Sequence, residues 1–236
     1  MPDRNETLVL YRGHTHKCPY LPRRVCQMEF LTRGDLPGEV YEALLGQGFR
    51  RSGNMFYRNV CPGCAECVQM RIPVASFVPS GSQKRVVRKN ADVRISIVPA
   101  EFRTDVFDLY QRYCAFKHGE NGDDKNAFRG FLCDSPLDTR MTLYHAGGVL
   151  AAVGWIDVLP RGLSSVYFAF EPEFARRSPG IFSIVREIGI AKSMGLDYYY
   201  LGFLVEASPK MSYKAAFGPH ERLIGGEWVS GFVPGS

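Results

Sequence analysis

Between residues 141 and 170 the chain carries three strand-like runs, 141–144, 149–158 and 164–170. The turns His145-Ala-Gly-Gly148 and Pro160-Arg-Gly162 separate them. Apolar runs punctuated by Gly and Pro read as a meander of neighbouring strands. The period then changes. Ile181, Ile184, Val185, Ile188 and Ala191 recur every three or four residues, which predicts an amphipathic helix over 181–194 with Gly195 as its stop. An aromatic, strand-like run follows at 197–204. This β-β-β-α-β order constrains the fold more than any other feature of the chain and points to the α+β class.

Upstream, 93–98 alternates as a strand should, and Phe102, Val106, Leu109, Tyr110 and Tyr113 predict an amphipathic helix over 101–116. A loop rich in Gly, Asp and Asn occupies 119–125, and 126–132 reads as a short helix. Before residue 90 the composition shifts to Cys, Pro, Arg and Gly. There, 40–48 reads as a helix with Val40, Leu44 and Leu45 on one side and Gly48 as its stop. The segments 68–72 and 75–78 read as strands broken by Pro73. The expected organisation is a small Cys-rich N-terminal module over 1–90 beside a domain over 91–236. The element order of that domain resembles a GNAT-type acyltransferase: a mixed, mostly antiparallel sheet flanked by helices.

With 45% apolar and 22% charged residues in 236, the chain has the composition of a folded domain, and disordered, collagen-like and coiled-coil readings fail. Twenty-nine Lys and Arg against 24 Asp and Glu leave a formal charge of +5, which disfavours a purely cationic ligand as the sole partner. No run reaches the ~18 to 20 apolar residues of a spanning helix. Residues 1–6 are polar with no apolar signal core behind them. A cytoplasmic protein without a membrane partner is expected, so the seven cysteines are not read as a disulfide framework.

Four segments carry candidate chemistry. Cys61-Pro-Gly-Cys64-Ala-Glu-Cys67 can turn two or three sulfurs toward one centre, with Cys18 as a fourth ligand and His14 and His16 just upstream. Zinc and an iron–sulfur cluster both suit such a set, and small buried thiols are the competing reading. Lys84, Arg85, Arg88 and Lys89 would share one helical face, suited to a phosphate backbone or simply solvated. Arg176-Arg177-Ser178-Pro179-Gly180 opens the long helix, a corner where anions bind, although Pro179 removes one amide donor. Lys210, Tyr213 and Lys214 place three proton-capable groups within five residues, able to stabilise an oxyanion or relay a proton. Two surface lysines and a core tyrosine are the alternative there.

Together these segments resemble the arginyl-tRNA–protein transferase family, in particular its bacterial aspartate/glutamate leucyltransferase branch. The similarity runs in order through Cys18-Pro-Tyr-Leu-Pro22, Gly48-Phe-Arg-Arg-Ser-Gly53, Tyr57-Arg58, Cys61 to Cys67, Ser82-Gln-Lys-Arg, Lys89-Asn90, the run 198–203 and Lys210-Met-Ser-Tyr-Lys214. The chain departs from the family pattern at Phe170-Glu171-Pro172, Ser178-Pro179-Gly180 and Leu201-Gly-Phe-Leu-Val205. Several of these changes fall where the resemblance puts the amino acid side chain or the acceptor, so leucine and arginine both stay open as donor.

The resemblance implies transfer of an amino acid, leucine first, from charged tRNA to the N-terminal Asp or Glu of proteins, marking them for N-degron degradation. Charged tRNA and such proteins would be the partners, with no DNA. The aminoacyl ester is already activated, so the chemistry requires no cofactor. Lys84, Arg85, Arg88 and Lys89 would hold tRNA phosphates. Lys210, Tyr213 and Lys214 would line the acyl site, with Glu171 as a base. Arg176, Arg177, Ser178 and Gly180 would bind substrate. Eukaryotic relatives use cysteines corresponding to Cys18 and Cys61 and are associated with an iron–sulfur cluster. A coenzyme A-dependent N-acetyltransferase of GNAT type, and a non-enzymatic metal-bearing RNA-binding or redox-sensing protein, are the competing functions.

Overall fold

The computed structural model describes residues 9–232; the polar start at 1–6 lies outside them. The chain begins with short strands, β1 (Tyr11–Arg12), β2 (His16–Lys17), β3 (Val25–Cys26) and β4 (Met28–Thr32). Helix α1 (Gly38–Leu45), β5 (Arg50–Ser52), β6 (Met55–Asn59), β7 (Val68–Pro73) and α2 (Gly81–Lys89) follow. Next come β8 (Arg94–Pro99), α3 (Thr104–His118) and α4 (Lys125–Phe128). The meander is β9 (Thr139–Ala146), β10 (Val149–Val158) and β11 (Gly162–Phe170), and after it stand α5 (Pro179–Ser193) and β12 (Tyr198–Leu204). A hairpin of β13 (His220–Ile224) and β14 (Glu227–Phe232) ends the described chain.

A large sheet runs in the order β14-β13-β7-β12-β11-β10-β9-β8. Its neighbours are antiparallel except β11 and β12, which are parallel because α5 connects them as a crossover. A smaller sheet has the order β1-β4-β6-β5, and β2 pairs with β3. Strand β7 sits between β12 and β13, so the large sheet joins strands from both sides of residue 90.

The two faces of the large sheet are read directly from β10, where side chains alternate. Val153 and Trp155 pack with Val106, Leu109 and Tyr110 of α3. Ile156 packs with Ile184 and Ile188 of α5. Ala152 lies with Phe182 of the same helix. This is the two-residue period of a strand covered on both sides. A third cluster joins α1 and the small sheet to Tyr200 of the large one and to Leu159 just past β10. The architecture is therefore mixed α+β, with a large, mostly antiparallel sheet between helices.

Two local expectations change. The segment 75–78 is not a strand: Pro73 ends the β7 ladder, and Ser76 folds back so that its N–H and its hydroxyl both donate to the Pro73 carbonyl. The helix expected at 126–132 stops at Phe128 and widens into a π-type turn, Arg129–Cys133. Gly130 lies in this turn, with its carbonyl against Gly53, where a Cβ would come within 2.6 Å.

Candidate functional site at the strand split

The parallel pairing of β11 with β12 lasts three residues, Gly162 with Tyr198, Leu163 with Tyr199 and Ser164 with Tyr200. Beyond that point the strands part. A split leaves main-chain groups in the middle of a sheet that need new partners. Two cations supply them. Lys214 Nζ donates to the carbonyls of Leu201 and Phe203 at 3.1 and 2.9 Å. Arg50 donates to Ser164 Oγ at 3.1 Å and to the carbonyl of Ser165. Gly202 makes room for this arrangement: it has φ +88°, and a Cβ there would stand 3.3 Å from the Arg50 guanidinium.

Lys214 is buried, and its ammonium is pushed down to about 7, first by burial and then by the Arg50 charge. Two of its protons are committed to carbonyls, so near neutrality the third position exchanges between an N–H and a lone pair. The split thus holds a fixed guanidinium beside an amine poised to take a proton. The other members of the expected acyl-site trio lie differently. Tyr213 is partly exposed and near Tyr113 of α3, and Lys210 is exposed. Glu171, at the end of β11, is held by Arg112 through contacts of 2.6, 2.9 and 3.2 Å. A carboxylate engaged in this way is occupied as an ion-pair partner.

The segment opening α5 is also internally engaged. Arg177 donates to both carboxylate oxygens of Asp92, at 3.2 Å to Oδ2, and to the carbonyl of Lys89 at 3.0 Å. Lys89 Nζ donates to the carbonyl of Arg176 at 2.5 Å, and Asn90 Nδ2 to that of Arg177 at 2.9 Å. Ser178 takes the left-handed conformation, φ 55°, and Pro179 begins the helix without an amide proton. Gly180 has open space where a Cβ would be.

The basic helix forms as expected. Ser80 and Gln83 make a reciprocal capping box at the start of α2. Lys84, Arg85, Arg88 and Lys89 are all exposed. Tertiary packing divides them, however. Lys89 turns to the Arg176 carbonyl, whereas Lys84 and Arg88 border a groove of about 650 Å³ between α2, β8 and α5. Arg186 of α5 joins them across an apolar floor that includes Val87, Ile95 and Val185.

The cysteines do not form the expected metal set. Cys18, Cys26, Cys61 and Cys64 lie close enough to Cys67 to act on its charge. Burial, followed by Cys61, pushes the Cys67 thiol up to about 12, and the same causes hold Cys26 at about 11. Cys18 Sγ accepts from the Leu21 amide and Cys61 Sγ from the Gln27 amide, each at 3.4 Å. Among the described residues no three His, Cys, Asp or Glu side chains are arranged to hold a metal ion. Cys18, Cys61, Cys64 and Cys67 as arranged therefore do not fit a zinc or iron–sulfur centre.

Two residues escaped the sequence reading. Arg50 stands in the Gly48-to-Gly53 motif, but nothing in that motif indicates that its side chain crosses to β11. Glu187 did leave a signal: a charge set between Ile184 and Ile188 in the apolar stripe of α5. It is buried and accepts from Tyr199 at 2.6 Å, Tyr144 at 3.0 Å and Thr142 at 3.3 Å. Burial pushes its carboxyl up to about 7. Gly154 lies under it, where a Cβ would meet Glu187 Oε1 at 2.6 Å.

Comparison with known proteins matches both halves of this arrangement. Residues 16–85 match "Arginine-tRNA-protein transferase, N terminus" and residues 105–224 match its C terminus. An aspartate/glutamate leucyltransferase of Pseudomonas fluorescens (strain SBW25) is 40% identical over 228 residues, covering 94% of this chain and 97% of the relative. Its counterpart in Aeromonas salmonicida (strain A449) is 40% identical over 232 residues, covering 94% and 96%. The one in Marinobacter nauticus is 37% identical over 227 residues, covering 94% and 95%. Among solved structures, the crystal structure of FemX aligns with a TM-score of 0.48 at 11% identity, over 83% of this chain and 79% of that one. The two matched regions each supply one member of the pair at the strand split, Arg50 coming from the N-terminal one and Lys214 from the C-terminal one, and on these matches the chain belongs to the arginine-tRNA-protein transferase family.

Proposed function

We propose that this protein is an aminoacyltransferase that moves leucine from leucyl-tRNA to the N-terminal Asp or Glu of an acceptor protein, and that the new N-terminus directs that protein to degradation. Full-length relatives named aspartate/glutamate leucyltransferase support the choice of donor and acceptor. The observation that carries the chemistry is Lys214, an amine held near neutrality in the gap between β11 and β12.

In the reaction the acceptor α-amine attacks the ester carbonyl of leucyl-tRNA. A peptide bond forms, and the bond to the terminal ribose oxygen breaks. The amine has to lose a proton, and the ribose oxygen has to gain one. Neutral Lys214 takes the first proton and, as an ammonium, can return it to the leaving oxygen. Arg50, fixed beside it, stabilises negative charge developing on the carbonyl oxygen. Lys84, Arg88 and Arg186 hold tRNA phosphates around the groove, with Arg85 alongside. Arg176 is the cation of the α5 corner left exposed to meet the acceptor carboxylate, since Arg177 is taken by Asp92. Ser178 and Gly180 shape that corner. Tyr213 and Lys210 lie beside Lys214 on the same segment, exposed to meet substrate, and Glu171 contributes by fixing Arg112.

A short parallel pairing that parts beside a crossover helix supports the GNAT-type reading of the fold. The division into a Cys-rich part over 1–90 and a transferase part over 91–236 belongs to the same reading, with β7 lent to the shared sheet. Pro179 at the start of α5 disfavours coenzyme A, whose pyrophosphate needs amide donors there. The test supplies the protein with separately charged leucyl- and arginyl-tRNA and with peptides beginning in Asp, Glu, Lys or Arg. Leucine should appear on the Asp and Glu peptides alone. Arginine in its place overturns the donor, and absence of any transfer overturns the enzyme class.

A further inference from the structure

The turn that carries Lys214, Ser212–Ala216, also carries Tyr213, and the two side chains diverge. Lys214 goes inward to the carbonyls of Leu201 and Phe203, whereas Tyr213 stays 45% exposed. Its neighbour is Tyr113 of α3, whose hydroxyl is pushed up to about 12 by burial and then by Tyr213. A row of rings continues from there. Tyr113 meets Phe170, at the end of β11, with ring centres 5.0 Å apart and an interplanar angle of 65°. Phe116, one turn further along α3, meets the same ring at 6.3 Å and 71°. Phe116 is itself 53% exposed. Among the described residues Tyr11, Phe116 and Tyr213 are the exposed Phe, Tyr and Trp side chains, so two of the three belong to this row. Solvent also reaches the parted strand: Ser165, Val166, Tyr167 and Phe168 are half-buried, whereas Leu163 and Ser164 before them are buried.

A row of exposed rings keeps apolar surface in water and marks a place where a partner covers it. Chemistry decides which partner. Ring faces carry the negative side of a quadrupole, so they do not suit the carboxylate that defines the acceptor. One leucine side chain covers a single ring, not a row. An RNA duplex keeps its bases inside the stack and shows ribose and phosphate outward. Unpaired bases present π-faces of their own and stack on aromatic side chains whatever their sequence. Tethering points the same way. The ester on which Lys214 acts is carried by the terminal ribose of tRNA, and the terminal base is bonded to that same ribose. The base is therefore held within a sugar's width of the reacting ester, and Tyr213 is the exposed ring next to Lys214 in the chain.

We infer that Tyr213 and Phe116 form a stacking shelf for the unpaired 3′ end of the tRNA, the terminal base resting on Tyr213 and the preceding bases running past Tyr113 and Phe170 toward Phe116. The inference rests on the transferase reading above and deepens it. Lys117, next to Phe116, and Lys210, three residues before Tyr213, are exposed and supply cations for the phosphates of that strand. Glu171, the acid that follows Phe170, does not oppose them, because Arg112 already holds it at 2.6 Å. Stacking fixes the terminal ribose, and with it the ester, against Lys214 and Arg50. It reads no base edge, which suits an end that all tRNAs share.

The test compares binding of uncharged tRNA to the full-length protein with binding of the same tRNA made abasic at its last two nucleotides, which keeps every phosphate. The wild-type protein should bind the intact tRNA about tenfold or more tightly, the range of one or two stacked bases. Tyr213→Ala and Phe116→Ala should each lose most of that preference. Affinity for the abasic tRNA and the slope of log affinity against log salt should not move, because no phosphate contact is removed. Tyr213→Phe and Phe116→Trp should keep the preference. In transfer assays Phe116→Ala should raise the KM for leucyl-tRNA about tenfold and leave the KM for a peptide beginning in Asp in place. Equal binding of the two tRNAs by the wild-type protein overturns the inference, and so does a KM that rises for the peptide instead. A loss in Tyr213→Phe as large as in Tyr213→Ala overturns it too, since the hydroxyl and not the ring is then responsible. If leucine still reaches the Asp peptide in those cases, the transferase reading stands and the shelf alone is lost. If leucine is never transferred, both fall together.

Discussion

Lys214 and Glu187 are brought toward neutrality from opposite sides by the same cause, burial without a paired opposite charge. For Lys214 the active form is the neutral amine. Its fraction rises as pH rises through about 7, so the transfer rate should climb roughly tenfold per pH unit below that point and level off above it. Lys214→Met should lower single-turnover transfer by about 100-fold or more and flatten that profile. Lys214→Arg should not restore it, because a guanidinium does not give up its proton. For Glu187 the readout is stability. Its carboxyl sits at about 7 in the folded chain against 4.5 for an ordinary glutamate, so between these values the folded state binds the extra proton. Stability from this group is full below pH 4.5 and falls as pH rises toward 7, by about 3 kcal/mol in all. Denaturant titrations across that window should show the fall in the wild-type protein and not in Glu187→Gln. At this scale sequence reading was uneven. It singled out Lys214 by its company with Lys210 and Tyr213, yet only Lys214 reaches the split: Tyr213 points elsewhere on a tight 3-10 turn, Ser212–Ala216, and Lys210 lies before that turn and is exposed.

Helix α2 shows how an element's local chemistry and its packing make separate decisions. The basic run was legible as residues 82 to 90, while the structure shows the capping box of Ser80 and Gln83 that starts the helix. Gln83 also donates to the carbonyl of Ala216, tying the start of α2 to the turn that carries Lys214. Sequence placed Lys84, Arg85, Arg88 and Lys89 together as one phosphate strip. Packing against α5 keeps Lys84 and Arg88 at the groove with Arg186 and turns Lys89 aside. If the groove holds tRNA, the double substitution Lys84→Ala, Arg88→Ala should weaken tRNA binding at every salt concentration. It should also reduce the slope of log affinity against log salt by about 2, close to one per lost phosphate contact. Lys89→Ala should change that slope much less. Titration of fluorescent tRNA over a salt series measures both, and equal effects of Lys84 and Lys89 would remove the groove from the reading.

At the scale of the whole molecule, one buried ion pair ties the small sheet to the large one. Arg51 of β5 meets Asp157 of β10 through contacts of 2.6 and 2.9 Å, with both side chains essentially inaccessible. Thr139 donates to the same carboxylate at 2.6 Å. Removing one partner leaves the other charge buried alone, so Arg51→Met should cost about 3–5 kcal/mol, a large part of the stability of a typical domain. Thermal unfolding measures the loss, and a change below 1 kcal/mol would show that the two sheets do not depend on this contact. Neighbouring Arg50 instead reaches β11, so one short strand carries both the structural tie and a member of the candidate site. By itself the sequence determined the elements of the meander, the crossover helix and the α+β class, because hydrophobic period, glycine turns and helix stops are local properties written along the chain. Its motifs, taken in order, also pointed to the family. Only the tertiary structure decided that among the described residues the cysteines are not arranged to hold a metal ion, that Arg177 and Glu171 are already paired, and that Arg50 comes beside Lys214 at the strand split. Those outcomes depend on which elements become neighbours, and contacts between residues on different elements leave no period in a sequence.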